Sequence, residues 1–90
     1  MNNQFNTYYY NLTKSYSLNH EAYLNYNIGN YSEGINSLNK ALEIEPDDSG
    51  FLDTLVICYY YSGNFKLAIK TSNNCIDIDK GTENDEHYTS

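Results

Sequence analysis

Arginine and tryptophan are absent from this 90-residue chain, and proline occurs once, at Pro46. Positive charge is scarce: five lysines against twelve acids leave a formal −7, so a phosphate backbone is repelled and nucleic acid is not an expected partner. Only two cysteines occur, Cys58 and Cys75. Each lies inside an apolar helical pattern, which points to small buried core residues in preference to a disulfide or a reactive thiol. No apolar run approaches the roughly 20 residues that span a bilayer, and the start, MNNQFNTYYYNL, has neither a basic end nor an apolar core. No membrane association and a cytoplasmic location are the expectations. Period-two alternation is also missing over any useful length, so strands are not expected, despite tyrosine triplets at 8–10 and 59–61.

Catalytic and metal patterns are likewise short of a member. His20 and Glu21 open a zinc-helix motif, but Leu24 stands where the second histidine belongs. In the acidic run Asp77, Asp79, Glu83, Asp85 and Glu86, Gly81 falls one position early for a calcium loop and Tyr88 takes the place of the closing glutamate. His87 reads as a solvated tail residue. No third group stands at a suggestive spacing from Cys58 or His20, and no glycine-rich phosphate cradle is present. No catalytic residue, metal or cofactor is therefore expected. The sequons at Asn11 and Asn30 are what so asparagine-rich a chain produces by chance.

What the chain does have is an internal repeat. The stretch at 25–46, NYNIGNYSEGINSLNKALEIEP, returns 34 residues later as YYYSGNFKLAIKTSNNCIDIDK. Gly29 recurs as Gly63, Asn30 as Asn64, Tyr31 as Phe65, Gly34 as Ala68, Ile35 as Ile69, Ala41 as Cys75, Leu42 as Ile76 and Ile44 as Ile78. A fixed period of this size means stacked supersecondary units, none able to bury its apolar face alone.

About five helices follow from the periodicity. Phe5, Tyr8, Tyr9 and Leu12 form one stripe of an amphipathic leader helix at 1–14, expected to dock on the repeats, with a fraying tip at 1–4. The pattern breaks at 14–17, where Ser15 or Ser17 could cap a second helix over about 16–28 that buries Leu18, Ala22 and Ile28. Gly29 ends that helix, and a third runs over about 31–44 until Pro46 forbids its continuation. Gly34, opposite Ala22, would let the two approach closely. Asp47, Asp48 and Ser49 supply caps for a fourth helix at about 51–62 with Leu52, Leu55, Val56 and Tyr59 on one face. The fifth runs from Phe65 to about Ile78 through Ala68, Ile69, Cys75 and Ile76, with Lys80 where a second proline would end it.

This 34-residue helix–turn–helix unit resembles the tetratricopeptide repeat. The first unit matches with Leu18, Ala22, Gly34, Leu38 and Pro46, the second with Leu52, Leu55, Val56, Tyr59, Ala68 and Ser72. The resemblance implies an all-α fold of antiparallel helix–turn–helix repeats, an α-solenoid, with units at 15–48 and 49–82. An acidic tail or the start of a truncated third repeat follows at 83–90, where Thr82 could cap. Glu21 and Asn25 stand where the family buries apolar residues, as a terminal unit with a polar outer face would. Ile69, Cys75 and Ile76 leave an apolar flank that so short a tail does not cover, and either a longer array or a second copy is expected to complete it.

The resemblance also implies a non-catalytic interaction module. In the family the first helix of each unit lines a concave groove, here Tyr16, Asn19, Tyr23, Tyr26 and Asn27 from the first unit with Asp53, Ile57, Tyr60 and Tyr61 from the second. Tyrosine offers contact area at little entropic cost, and asparagine can bond a peptide backbone in both directions. The family's clamp for C-terminal carboxylates uses lysine, arginine and asparagine; Asn19, Tyr23 and Thr54 occupy the corresponding places, so a neutral or basic protein segment is the expected partner. Two readings stay open: an adaptor or scaffold binding a peptide in that groove, and a structural module completing its array by homo-oligomerisation.

Overall fold

The computed structural model describes the backbone of residues 3–89 and the side chains of residues 6–81. The expectations for Phe5 and for Thr82, Glu83, Asp85, Glu86, His87 and Tyr88 as side chains lie outside the described residues. Four helices follow one another: α1 (Asn3–Asn27), α2 (Tyr31–Ile44), α3 (Ser49–Tyr61) and α4 (Phe65–Thr89). They lie as two antiparallel hairpins in a slab measuring 42 × 38 × 16 Å.

The expected break between a leader and a second helix does not occur, and the count is four helices, not five. Ser15, read as a cap, is fully buried and turns its hydroxyl back to donate to the Leu12 carbonyl at 2.9 Å, a bond made inside a continuing helix. With no glycine or proline between Lys14 and Ser17, nothing else interrupts the ladder. Residues 3–14 are thus the first half of α1. They do not fold back on the repeats: residues 6–11 are all exposed, and Lys14 and Leu18 already stand level with Lys40, Glu43 and Ile44 at the far end of α2.

The turns are nearly superimposable in their chemistry. Gly29 and Gly63 adopt φ 86° and 87°, the left-handed region in which only glycine is unstrained. The N–H groups of Asn30 and Asn64 close the turns by donating to the carbonyls of Asn25 and Tyr59, each at 2.8 Å. At the opposite end, Asp48 caps α3 by accepting from the Phe51 N–H at 3.1 Å. Replacing Asp48 by alanine removes that acceptor and is expected to cost about 1 kcal/mol of unfolding free energy, read as a lowered urea midpoint at unchanged slope. The final helix passes Lys80 and Gly81 and ends at Thr89, well beyond the expected end near Ile78, because neither residue removes a backbone donor as proline would.

Ala22, Leu38, Ala41, Phe51, Leu55 and Cys58 form the core, with Leu18, Tyr26, Ile35, Leu42 and Tyr59 packed around them. It sits where α1, α2 and α3 meet. At Gly34 α2 comes close to both neighbours: a Cβ there would stand 3.3 Å from the Ala22 carbonyl oxygen and 3.3 Å from the Cys58 Sγ. Ile28, expected inside, is 73% exposed because it follows the last turn of α1 and faces away from both hairpins. Cys75 is buried, while its neighbours Ile69 and Ile76 are 63% and 47% exposed.

Candidate interaction surface

The side chains expected to line a groove divide into three groups. Tyr23, Tyr26, Tyr60 and Tyr61 come together at the glycine-turn end of the hairpins. Tyr23 and Tyr26, one turn apart on α1, stand 6.1 Å between ring centroids; Tyr26 stacks on Tyr61 of α3 at 6.2 Å and 22°, and Tyr61 meets Tyr60 edge-on at 5.2 Å. Two rings not anticipated for the groove extend the series. Tyr31, first residue of α2, stacks on Tyr61 from the other side at 6.1 Å and 17°, and Phe65, first residue of α4, meets Tyr60 at 5.5 Å. The signal for them was present: both follow a Gly-Asn turn and both are aromatic in the two copies of the repeat. Ring pairs in these geometries add roughly 0.5–1.5 kcal/mol each beyond burial of area.

Tyr16 and Asn19 lie further along α1. Tyr16 meets the ring of Phe51 edge-on at 5.7 Å and holds the start of α3 against α1 as Tyr26 holds its end. Asn19 is half-buried, and its Oδ1 is shut off from solvent without accepting a hydrogen bond. An orphaned carbonyl of this kind is costly unless a donor arrives.

The third group turns towards α4. The Asp53 carboxylate accepts from the Cys75 thiol, Sγ to Oδ1 at 3.2 Å. Burial first, and then this bond and the charge of Asp53, push the Cys75 thiol up to about 11, so it stays protonated and inert at neutral pH. Ile57 lies with Val56, Tyr60 and Tyr61 in a cleft completed by Ala68, Ile69 and Ser72. Asn27 is exposed at the end of α1. Thr54, a clamp position by resemblance, is buried and donates to the Gly50 carbonyl at 3.0 Å, which leaves its hydroxyl committed to the helix.

Among the described residues no group of three or more histidine, cysteine, aspartate or glutamate side chains could hold a metal ion, and no helix is long and apolar enough to cross a membrane. Comparison with protein families matches residues 15–48 to the tetratricopeptide repeat. The chain contains a tetratricopeptide repeat. No curated protein and no solved structure matches significantly. The matched unit begins inside α1, crosses the Gly29 turn and ends just past Pro46. α3 and α4 repeat its hairpin with the same turn. Tetratricopeptide repeats are in general protein-interaction modules.

Proposed function

We propose that the chain is a non-catalytic adaptor or scaffold module that receives a neutral or basic peptide segment across the face formed by α1 and α3. The observation that carries this reading is the ring series itself. Tyr23, Tyr60 and Tyr61 remain 42%, 56% and 58% exposed although each is held in place by a neighbouring ring. Such rings lose little freedom when a ligand covers them, which is the entropic condition for a good anchor. The net charge of −7 favours a basic ligand over an acidic one and disfavours nucleic acid. Location in the cytoplasm, independence from membranes and the lack of any cofactor belong to this proposal.

Selection from a displayed library of random peptides tests it. Neutral to lysine-rich sequences should be enriched, and Tyr23→Ala with Tyr60→Ala should weaken the selected peptide by at least about 2 kcal/mol, roughly thirty-fold, at unchanged helicity. Equal affinity for the double variant, or enrichment of acidic peptides, sinks the groove.

A further inference from the structure

The repeat relates two beds on this molecule, and only one holds a helix. In the first, Ala22 and Tyr26 of α1 with Gly34, Ile35 and Leu38 of α2 receive α3 through Phe51, Leu55 and Cys58. Moving each bed residue on by the repeat gives Val56, Tyr60, Ala68, Ile69 and Ser72, which line the open cleft between α3 and α4. Ile35 is half-buried under α3, whereas its counterpart Ile69 is 63% exposed. Phe65, Ile69 and Ile76 form one stripe of α4 about 17 Å long, each between 47% and 63% exposed.

We propose that this second bed is filled by the N-terminal half of α1 from a second copy of the chain. Three features select that occupant. The helix held by the first bed presents its apolar residues at i, i+4 and i+7, as Phe51, Leu55 and Cys58. The N-terminal half of α1 repeats this spacing as Phe5, Tyr9 and Leu12. Its length suits too: residues 3–14 make three turns or more, about 18 Å, against about 20 Å for α3.

The second feature is room and charge. Ser72 replaces Leu38 in the second bed, and the smaller side chain leaves space for a tyrosine where the first bed takes a leucine. The first twenty residues contain no acid and one lysine, and over the described side chains the two helices that form the bed carry Asp53, Asp77 and Asp79 against Lys66, Lys70 and Lys80, so charge does not oppose the pairing. The cleft lining itself is uncharged, which suits a guest face of Phe5, Tyr9 and Leu12.

The third is that one molecule cannot satisfy itself. α1 and α4 lie at opposite edges of the slab and do not touch among the described residues. The half of α1 in question runs past the end of α2 with residues 6–11 exposed, Tyr8 and Tyr10 by 58% and 65%. A pair of copies related by a two-fold axis can exchange these halves and cover both faces at once. This inference goes beyond the peptide-binding reading and does not rest on it: the two surfaces share Tyr60 and Tyr61, but the variants that test the exchange, Ile69→Asp and Tyr9→Asp, touch neither ring.

Sedimentation equilibrium on the full chain tests the exchange. Wild type should weigh two chains at micromolar concentrations. Ile69→Asp, in the bed, and Tyr9→Asp, in the guest helix, should each weigh one chain with unchanged far-ultraviolet circular dichroism. An equimolar mixture of the two variants should recover dimers, because the mixed pair keeps one intact bed and one intact guest. As a check that needs no destabilising charge, a Tyr9→Cys chain mixed with an Ile69→Cys chain should form a mixed disulfide under mild oxidation faster than either variant does alone. Monomeric wild type at the highest concentration reached overturns the proposal. So does a dimer lost in Ile69→Asp and kept in Tyr9→Asp, which would mean that the two α4 faces pair with each other.

Discussion

Phe51→Ala is expected to remove most of the stability of this protein. The ring is 2% exposed and joins α3 to the first hairpin: it lies in the core with Ala22 of α1 and Leu38 and Ala41 of α2, and it carries the edge-on ring of Tyr16. Its own N–H donates to the capping carboxylate of Asp48, so a residue of the first turn of α3 also fastens that helix to α1. Truncating a buried phenylalanine costs about 3–5 kcal/mol, the transfer term plus a cavity that the neighbours fill only in part. Of those neighbours Ala22, Ala41 and Cys58 are small, while Leu38, Leu55 and Tyr16 have side chains that can shift into part of the space. A 90-residue domain has roughly 5–13 kcal/mol in total, so a loss of this size leaves a marginal protein. In urea, followed by far-ultraviolet circular dichroism, the midpoint should fall by about 2 M or more at a slope of about 1–2 kcal/mol per molar. A midpoint within about 0.5 M of wild type would mean that the hairpins hold without the contact between them.

The sequence carried the hairpins clearly because their determinants are local. Gly29 and Gly63 end helices for a reason that acts within four residues, and the structure gives both the same positive φ. Asp48 is a cap by residue type and position, and its carboxylate makes the bond. Ser15 shows where that logic fails. The same hydroxyl that can cap a helix can also bond backwards inside one, and only burial against the rest of the fold decides between them. The extension of α4 past Lys80 was foreshadowed by the missing proline, though nothing local marked where it would end.

The candidate surface was legible in part for a related reason. The resemblance to the repeat family singles out Tyr16, Asn19, Tyr23 and Tyr26, and helical spacing places them on one stripe of α1. Which of them meet is a matter of how α1 and α3 lie side by side. Tyr26 reaches Tyr61, Tyr16 reaches Phe51, and Asn19 between them is left with an unmatched carbonyl. Asp53 shares a helix with Tyr60 and Tyr61 and yet turns to Cys75, because a thiol donor on α4 is within reach. Tyr31 and Phe65 start the second helix of each hairpin, and a rule based on first helices passes over them. The ring series therefore belongs to the turn end of the slab as much as to either helix. Covering it and covering the bed on α3 and α4 are separable events that share Tyr60 and Tyr61 at one rim.

Gly34→Val tests the packing from the opposite direction, by filling space where Phe51→Ala empties it. Gly34 is buried in α2, in a helical conformation where an added Cβ costs the backbone nothing and by propensity alone would gain up to about 1 kcal/mol. Tertiary contacts reverse that sign. The Cβ would stand 3.3 Å from a carbonyl oxygen of α1 and 3.3 Å from a sulfur of α3, and the valine methyls would go further. The carbonyl belongs to a helix backbone and cannot turn aside, and Cys58 is itself fully buried. Relief requires α2 to move away from α1 and α3 together, which loosens Ala22, Leu38 and Ala41 at once. Overpacking of this kind costs about 1–3 kcal/mol, and the lack of any flexible neighbour sets the expectation near 3. Because Phe51 and Gly34 act on the same three-helix junction, the double variant should fall short of the sum of the two single losses, the cavity left by the ring giving α3 room to shift. Strict additivity in urea midpoints would show instead that Gly34 governs the α1 and α2 hairpin alone, independently of the helix laid across it.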